Sequence, residues 1–275
     1  ISMKKRSLLL LVVLLSLALV IAGCGGNDAK PAAQNAKTVL KVGATPVPHA
    51  EILNVVKPLL AKEGIDLVIV EMNDYVRPNL AVADKELDAN FFQHVPYLNK
   101  FISERNLQLA YTTKVHIEPM GIYSQKIKNL NDLSNGAQVG IPNDPTNGGR
   151  ALSLLEKAGL LKLKEGAGVN ATISDIVANP KNLKIRELEA PQLPRSLEDL
   201  AIAVINTNYA LEAKLVPAKD ALFIEQKDSP YANILTIRKG DENRPEIQKL
   251  TKALTSEEVK KFINEKYQGA IVPAF

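Results

Sequence analysis

A chain of 275 residues with a single cysteine has no disulfide of its own, so its fold must be held by a hydrophobic core. That cysteine, Cys24, also has an informative setting. Lys4, Lys5 and Arg6 precede an uncharged apolar run from Ser7 to Ala22, and Ile21-Ala22-Gly23-Cys24 closes it. A basic start, a short apolar stretch and small residues at its end describe a secretory signal. The run has 16 residues, whereas a membrane span needs about 20. Cysteine directly after Ala-Gly is the lipobox pattern. The expected products are a signal peptide over 1–23 and a mature chain lipidated on Cys24. Such a chain works outside the cytoplasm, in the periplasm or at the cell surface, tethered to the membrane.

The formal charge of +4 and the pI near 8.9 belong to that leader. Lys4, Lys5 and Arg6 are three of the 34 basic residues, and 1–23 hold no acid, which leaves 31 bases against 30 acids. Nothing in this balance supports a nucleic-acid partner. With 252 residues left after cleavage, the mature chain is long enough to bury a sizeable core.

Residues 24–37 are small and polar beyond the cysteine, a flexible tether. Alternation begins at Val39, where Val39–Gly43 reads as a strand. A helix follows Pro48, with Ile52, Val55, Val56, Leu59 and Leu60 at helical spacing; Pro58 should kink it or end it early. Further strands are expected at 65–70, 89–91, 108–112, 121–124, 137–141, 183–188, 201–205 and 233–238. Further helices are expected at 95–105, 150–158, 207–213, 244–254 and 256–267. This rhythm predicts an α/β fold with mixed, mostly parallel sheets. The length suits two lobes, and no linker separates one half from the other. The chain should cross between the lobes at 116–124 and again at 221–228, with 38–120 plus 226–275 in one lobe and 121–225 in the other. Two short crossings make a hinge over a cleft.

Catalytic signatures are missing from the pattern. His49, His94 and His116 are scattered, and His116 with Glu118 supplies only two ligands for a zinc site. No nucleophile elbow, phosphate loop or dinucleotide fingerprint is present, so no cofactor or metal is expected and the chain does not read as an enzyme. Aromatic placement says more. Phe91, Phe92, Tyr97 and Phe101 fall within 11 residues, with His94 among them. Pro96 suits the first turn of the following helix, which puts Phe92, Gln93 and His94 on the strand-to-helix connection. Ligands sit at such strand ends in open α/β sheets; spacing alone also allows these rings to fill the core.

A second cluster, Pro142-Asn143-Asp144-Pro145-Thr146-Asn147-Gly148-Gly149-Arg150, reads as a loop opening a helix at Arg150. Glycines at a helix start let N–H groups approach an anion, and the arginine fork can hold a carboxylate in two parallel bonds. An ordinary turn with a solvated arginine has the same pattern. Asn206 and Asn233 stand at strand ends. A carboxamide both donates and accepts, which suits an α-amino acid, although asparagine also serves turns and caps.

Taken with the lipobox, the segments Asn73-Asp74-Tyr75-Val76-Arg77-Pro78-Asn79, Phe91-Phe92-Gln93-His94-Val95-Pro96-Tyr97-Leu98 and Asn143-Asp144-Pro145-Thr146-Asn147 resemble the NlpA/MetQ family of methionine-binding lipoproteins. Glu189-Ala190-Pro191-Gln192-Leu193-Pro194-Arg195, Ala203-Val204-Ile205-Asn206-Thr207-Asn208-Tyr209-Ala210 and Asp228-Ser229-Pro230-Tyr231-Ala232-Asn233 extend the likeness over 38–275. The resemblance implies a two-lobed periplasmic-binding-protein fold of the second type, closing over one amino acid. It implies that Arg150 grips the ligand carboxylate, that Asn206 and Asn233 complete the polar anchor, and that the thioether lies among Tyr75, Phe91, Phe92, His94 and Tyr97. The implied partners are L-methionine and the permease and ATPase subunits of an ABC importer, served by a monomer. D-methionine, another amino acid, a methionine-containing dipeptide or a non-transport surface lipoprotein also fit the pattern.

Overall fold

The computed structural model describes residues 37–227 and 230–275. The signal peptide expected over 1–23, Cys24 with its expected lipid, and the tether up to Ala36 lie outside the described residues. Strands β1 (Thr38–Ala44), β2 (Ile65–Glu71), β3 (Ala89–His94) and β4 (Leu109–Ile117) come first. Then follow β5 (Gly121–Tyr123), β6 (Gln138–Pro142), β7 (Lys162–Leu163), β8 (Ile176–Ala178), β9 (Lys184–Leu188), β10 (Ile202–Ile205) and β11 (Phe223–Ile224). The last are β12 (Ala232–Arg238) and β13 (Val272–Pro273). The helices are α1 (Glu51–Lys62), α2 (Arg77–Ala83), α3 (Val95–Arg105), α4 (Pro145–Lys157), α5 (Thr207–Glu212), α6 (Pro217–Asp220), α7 (Pro245–Leu254) and α8 (Glu257–Tyr267). None of the described helices is long and apolar enough to cross a membrane.

Two sheets organise these elements. One runs β13-β4-β12-β3-β1-β2 and the other β11-β5-β10-β6-β9, with β7 and β8 forming a small ribbon. The chain leaves the first sheet after Ile117 and enters the second at Gly121. It leaves the second after Ile224 and re-enters the first at Ala232. The α/β class and the mixed sheets follow the expectation, but the sheets are not mostly parallel. β1 pairs parallel with β2 and β3, and β6 with β9 and β10. The other pairings among the described residues are antiparallel. The crossings explain this. β12 arrives where β4 departs, pairing Ala232 with Ile117, and β11 departs where β5 arrives, pairing Ile224 with Gly121. A strand entering at its neighbour's exit must run the opposite way.

Each sheet is covered on both faces. Ile52, Leu53, Val56 and Leu60 of α1 pack with Ile247, Leu250 and Leu254 of α7 and Val259 and Ile263 of α8 against Leu40, Val42 and Leu235. The opposite face of that sheet meets Ala81, Val82 and Leu98 from α2 and α3. In the second sheet, Ile202 and Val204 face Leu152, Leu154 and Leu155 of α4, while Ala203 and Ile205 face Leu193, Leu197 and Tyr209. That is why β10 is apolar at every position: a strand covered on both sides has no polar face to alternate with.

Three local expectations are corrected. α1 continues through Pro58 to Lys62. Both Pro58 and Asn54, whose carbonyl loses its helical partner, are on the exposed face, where water can reach that carbonyl, while the four buried side chains hold the helix. β3 extends to His94 and so takes in Phe92, Gln93 and His94 as strand residues. α4 begins at Pro145 instead of Arg150. Asp144 caps it by accepting from the Asn147 N–H at 3.0 Å, and Pro145 needs no N–H partner in the first turn. The two glycines therefore lie inside a helix. At Gly149 a Cβ would come within 2.3 Å of the Val169 carbonyl oxygen, so the close approach of the 168–170 turn requires glycine there.

Candidate functional site

Between the two sheets lies a narrow cavity. From the side of the first sheet it is lined by Tyr75, Phe92, Gln93, His94, Tyr97, Glu118 and Asn233. From the side of the second it is lined by Asn147, Arg150, Asn206, Thr207 and Asn208. Seven of the eight ligand-binding candidates from the sequence meet here. Phe91 does not. In the register of β3 with β12, Phe91 opposes Leu235 and Gln93 opposes Ile234, so Phe92 is an extra, bulged residue. A bulge re-aims its side chain. Phe92 turns to the cavity, while Phe91 is fully buried against the α1 side of the core, 4.7 Å from the His49 ring.

The apolar wall is aromatic. Tyr75 lies 5.8 Å from Phe92 and 5.9 Å from Tyr97, and Tyr209 packs tilted against Tyr75 at 5.1 Å. The Tyr97 hydroxyl donates to the Tyr75 carbonyl at 2.7 Å, which fixes one ring against the backbone of the other. Behind Phe92, a carboxamide cluster locks the wall. Gln93 Nε2 donates to Asn79 Oδ1 at 2.6 Å, and Asn79 Nδ2 returns a bond to Gln93 Oε1 at 2.8 Å. Asn90 Nδ2 also donates to Asn79 Oδ1, at 2.8 Å, and Thr236 Oγ1 takes a further Gln93 bond at 3.1 Å.

Hydrogen-bond polarity can be followed residue by residue on the polar side. His94 ends β3 and caps α3; its Nδ1 accepts from the Tyr97 N–H at 3.1 Å. Burial, aided by Arg150, pushes its pKa down to about 3, so the ring is neutral. A neutral ring that accepts at Nδ1 carries its proton on Nε2, which donates to Asn147 Oδ1 at 3.1 Å. Asn147 Nδ2 is committed to the Asp144 carboxylate, so this amide cannot be flipped. Asn206 Nδ2 donates to the same Asn147 oxygen at 3.0 Å. Asn206 Oδ1 is left buried and without a partner among the described residues. The Tyr75 hydroxyl donates to Asn208 Oδ1, and Asn208 Nδ2 is without a partner among the described residues. An orphan acceptor and an orphan donor thus face one cavity.

Arg150 sits in the second turn of α4, buried, with its guanidinium 4.0 Å over the Tyr231 ring. Its bidentate edge is already taken. Nε donates to Glu225 Oε1 at 3.1 Å, and Nη2 donates to Glu225 Oε2 at 2.5 Å and to the Glu118 carbonyl at 2.8 Å. Nη1 has no partner among the described residues. The sequence reading missed Glu225, Glu118, Asn147, Thr207, Asn208 and Gln93. Gln93, Asn147, Thr207 and Asn208 lie inside the motifs that carry the family resemblance, and Glu118 stands out in the sequence only as a possible metal ligand beside His116. Donor atoms of His49, His116 and Glu118 do converge within 4.8 Å. That is one ligand more than the sequence offered, and here the carboxylate accepts from both imidazoles.

The site can therefore hold a small zwitterion with an apolar tail. Donors, acceptors and rings are all present around it.

Comparisons with known proteins agree in kind. The model of the NlpA lipoprotein family matches residues 40–275. The D-methionine-binding lipoprotein MetQ of Salmonella typhimurium is 46% identical over 259 residues, covering 93% of each chain. The methionine-binding lipoprotein MetQ of Bacillus subtilis is 42% identical over 273 residues, covering 98% of each. Among solved structures, a nutrient-binding protein from Burkholderia cenocepacia bound to methionine superposes with a TM-score of 0.84 at 48% identity. The match covers 86% of this chain and all of that one.

Proposed function

Because this chain belongs to the NlpA lipoprotein family, we propose that it captures methionine outside the cytoplasm and hands it to an ABC importer. The observation that carries this reading is the pairing of an aromatic wall with an orphan amide donor and an orphan amide acceptor around one cavity. Thioether sulfur makes favourable contacts with ring edges, which an aliphatic wall would not offer. The head group would meet Arg150 through Nη1, with Asn206 and Asn233 beside it. The tail would lie among Tyr75, Phe92, His94 and Tyr97. Relatives are named for D-methionine, so both enantiomers are candidates.

In this reading 38–120 with 226–275 and 121–225 are the moving parts, hinged where the chain passes twice between the sheets. Lipid on Cys24 would anchor the protein and confine its search for a permease and its ATPase. The task is capture, not conversion. Mass spectrometry of the small molecule released from purified, denatured protein tests it directly. Methionine in that fraction, with calorimetric binding of added methionine, is the expected result. A protein that binds no amino acid overturns it.

A further inference from the structure

Tyr75 and Tyr209 exchange hydroxyls across the two sides of the cavity. The Tyr75 hydroxyl donates to Asn208 Oδ1 at 2.6 Å, and the Tyr209 hydroxyl donates to the Asn73 carbonyl at 3.2 Å. Asn73 and Tyr75 share the loop leading into α2, while Asn208 and Tyr209 are neighbours in α5. Each element thus lends one tyrosine to the other, and both rings are pinned at their hydroxyl ends. The ring centroids lie 5.1 Å apart, with the planes tilted by 36°. Of the two, Tyr75 lines the cavity, with Phe92 and Tyr97 beside it. Tyr209 instead lines a separate groove, together with Asn73, Pro191, Pro194, Arg195 and Glu212. That groove meets solvent, since Asn73, Arg195 and Glu212 are exposed. Pro191 and Pro194 belong to the motif at 189–195, none of which lines the cavity.

The aromatic side of the cavity is therefore separated from this groove by a wall two rings thick. A single ring with open space behind it could swing out and make room for a longer tail. Here Tyr209, itself buried, fills that space. Moving Tyr75 outward would overpack the pair or break the hydroxyl bonds that hold it. We propose that Tyr209 is a positioning residue for specificity: without touching the ligand, it backs Tyr75 and so caps the length of the tail. Straight-chain α-amino acids up to the size of methionine fit, and homocysteines with longer S-alkyl groups are refused. The groove beyond is where such a chain would emerge if the second ring were removed. The inference rests on the capture reading above and narrows its ligand class at the tail.

Titration calorimetry on the ligand-stripped full chain in detergent tests this with methionine and S-butyl-homocysteine, which lengthens the tail and leaves the head group alone. The wild type should bind the longer ligand about 100-fold more weakly. Tyr209→Ala should bring the two affinities within about tenfold of each other. Tyr209→Phe, which keeps the ring and loses only the bond to Asn73, should keep the wild-type gap. Should Tyr209→Ala fail to fold, Tyr209→Leu carries the same comparison with a smaller void. A wild type that takes both ligands equally well overturns the proposal. So does Tyr209→Ala or Tyr209→Leu with the gap intact, or Tyr209→Phe with the gap narrowed as far as in Tyr209→Ala. If the wild type binds another amino acid in place of methionine, the function is wrong, and that amino acid with its chain-extended homologue decides the role of Tyr209. If it binds none, both readings fall.

Discussion

The Tyr75 hydroxyl donates to Asn208 Oδ1 at 2.6 Å, a bond between the loop leading into α2 and the helix that follows β10. It joins a residue of the aromatic wall to one of the polar side, and so ties together elements packed on different sheets. Tyr75→Phe keeps the ring and deletes the tie. Affinity for methionine and for norleucine should fall together by about 3- to 10-fold, the worth of one neutral hydrogen bond. Calorimetry with both ligands checks it; a changed ratio between them would mean the hydroxyl reads the tail.

Arg150 and Glu225 form a buried pair, each less than a tenth exposed. Removing one partner strands the other, at about 3–5 kcal/mol. Arg150→Ala should therefore lower stability to denaturant as well as methionine affinity. Arg150→Met with Glu225→Leu should recover much of the stability and none of the binding. Urea melts and calorimetry on the three proteins separate the two effects; a stable, non-binding Arg150→Ala would show the pair to be unimportant for folding.

His49, His94 and His116 are held neutral by burial, with pKa values of about 4, 3 and 3 against an ordinary 6.5. Below 6.5 the unfolded chain takes up protons that the folded chain refuses. Stability should thus fall as pH drops from 6.5 toward 4, by up to about 1.4 kcal/mol per unit for each histidine. Glu118 and Asp144, raised by burial, act in the opposite sense just above their ordinary values. Imidazole resonances should show no titration between pH 8 and about 5. A midpoint near 6.5 for any of the three counts against the burial argument.

Gly149→Ala places a methyl group against the Val169 carbonyl. Helix propensity would favour alanine by about 1 kcal/mol, but overpacking against backbone costs more, about 1–3 kcal/mol or above. A net loss of melting temperature is expected, and a gain would show that the 168–170 turn yields.

Legibility in the sequence followed locality. The α3 span 95–105 could be read to the residue because Pro96 and the apolar spacing agree, and β10 could be read from its unbroken apolar run. The start of α4 could not. Pro145, Gly148 and Gly149 carry turn chemistry, and what makes them helical is a cap on one side and a carbonyl pressed close on the other. The site divided along the same line. Asn206 and Asn233 stand at strand ends and Arg150 directly follows a turn-like motif, where motif reading looks. Glu225 and His49 gain meaning only from partners 75 and 184 residues away. Phe91 and Phe92 are adjacent and chemically identical; alternation sends them to opposite faces, but which face meets the cavity is set by the tertiary packing of β3.

The amide lattice behind Phe92 has a consequence for how such a protein can drift. Asn79, Asn90, Gln93 and Thr236 are joined in one hydrogen-bonded network, with no member that ionises. Salt and acid find no handle there, so the floor beneath the rings should keep its shape across envelope conditions. Ligand preference is then free to evolve by exchanging the rings above, one at a time, over an unchanging foundation.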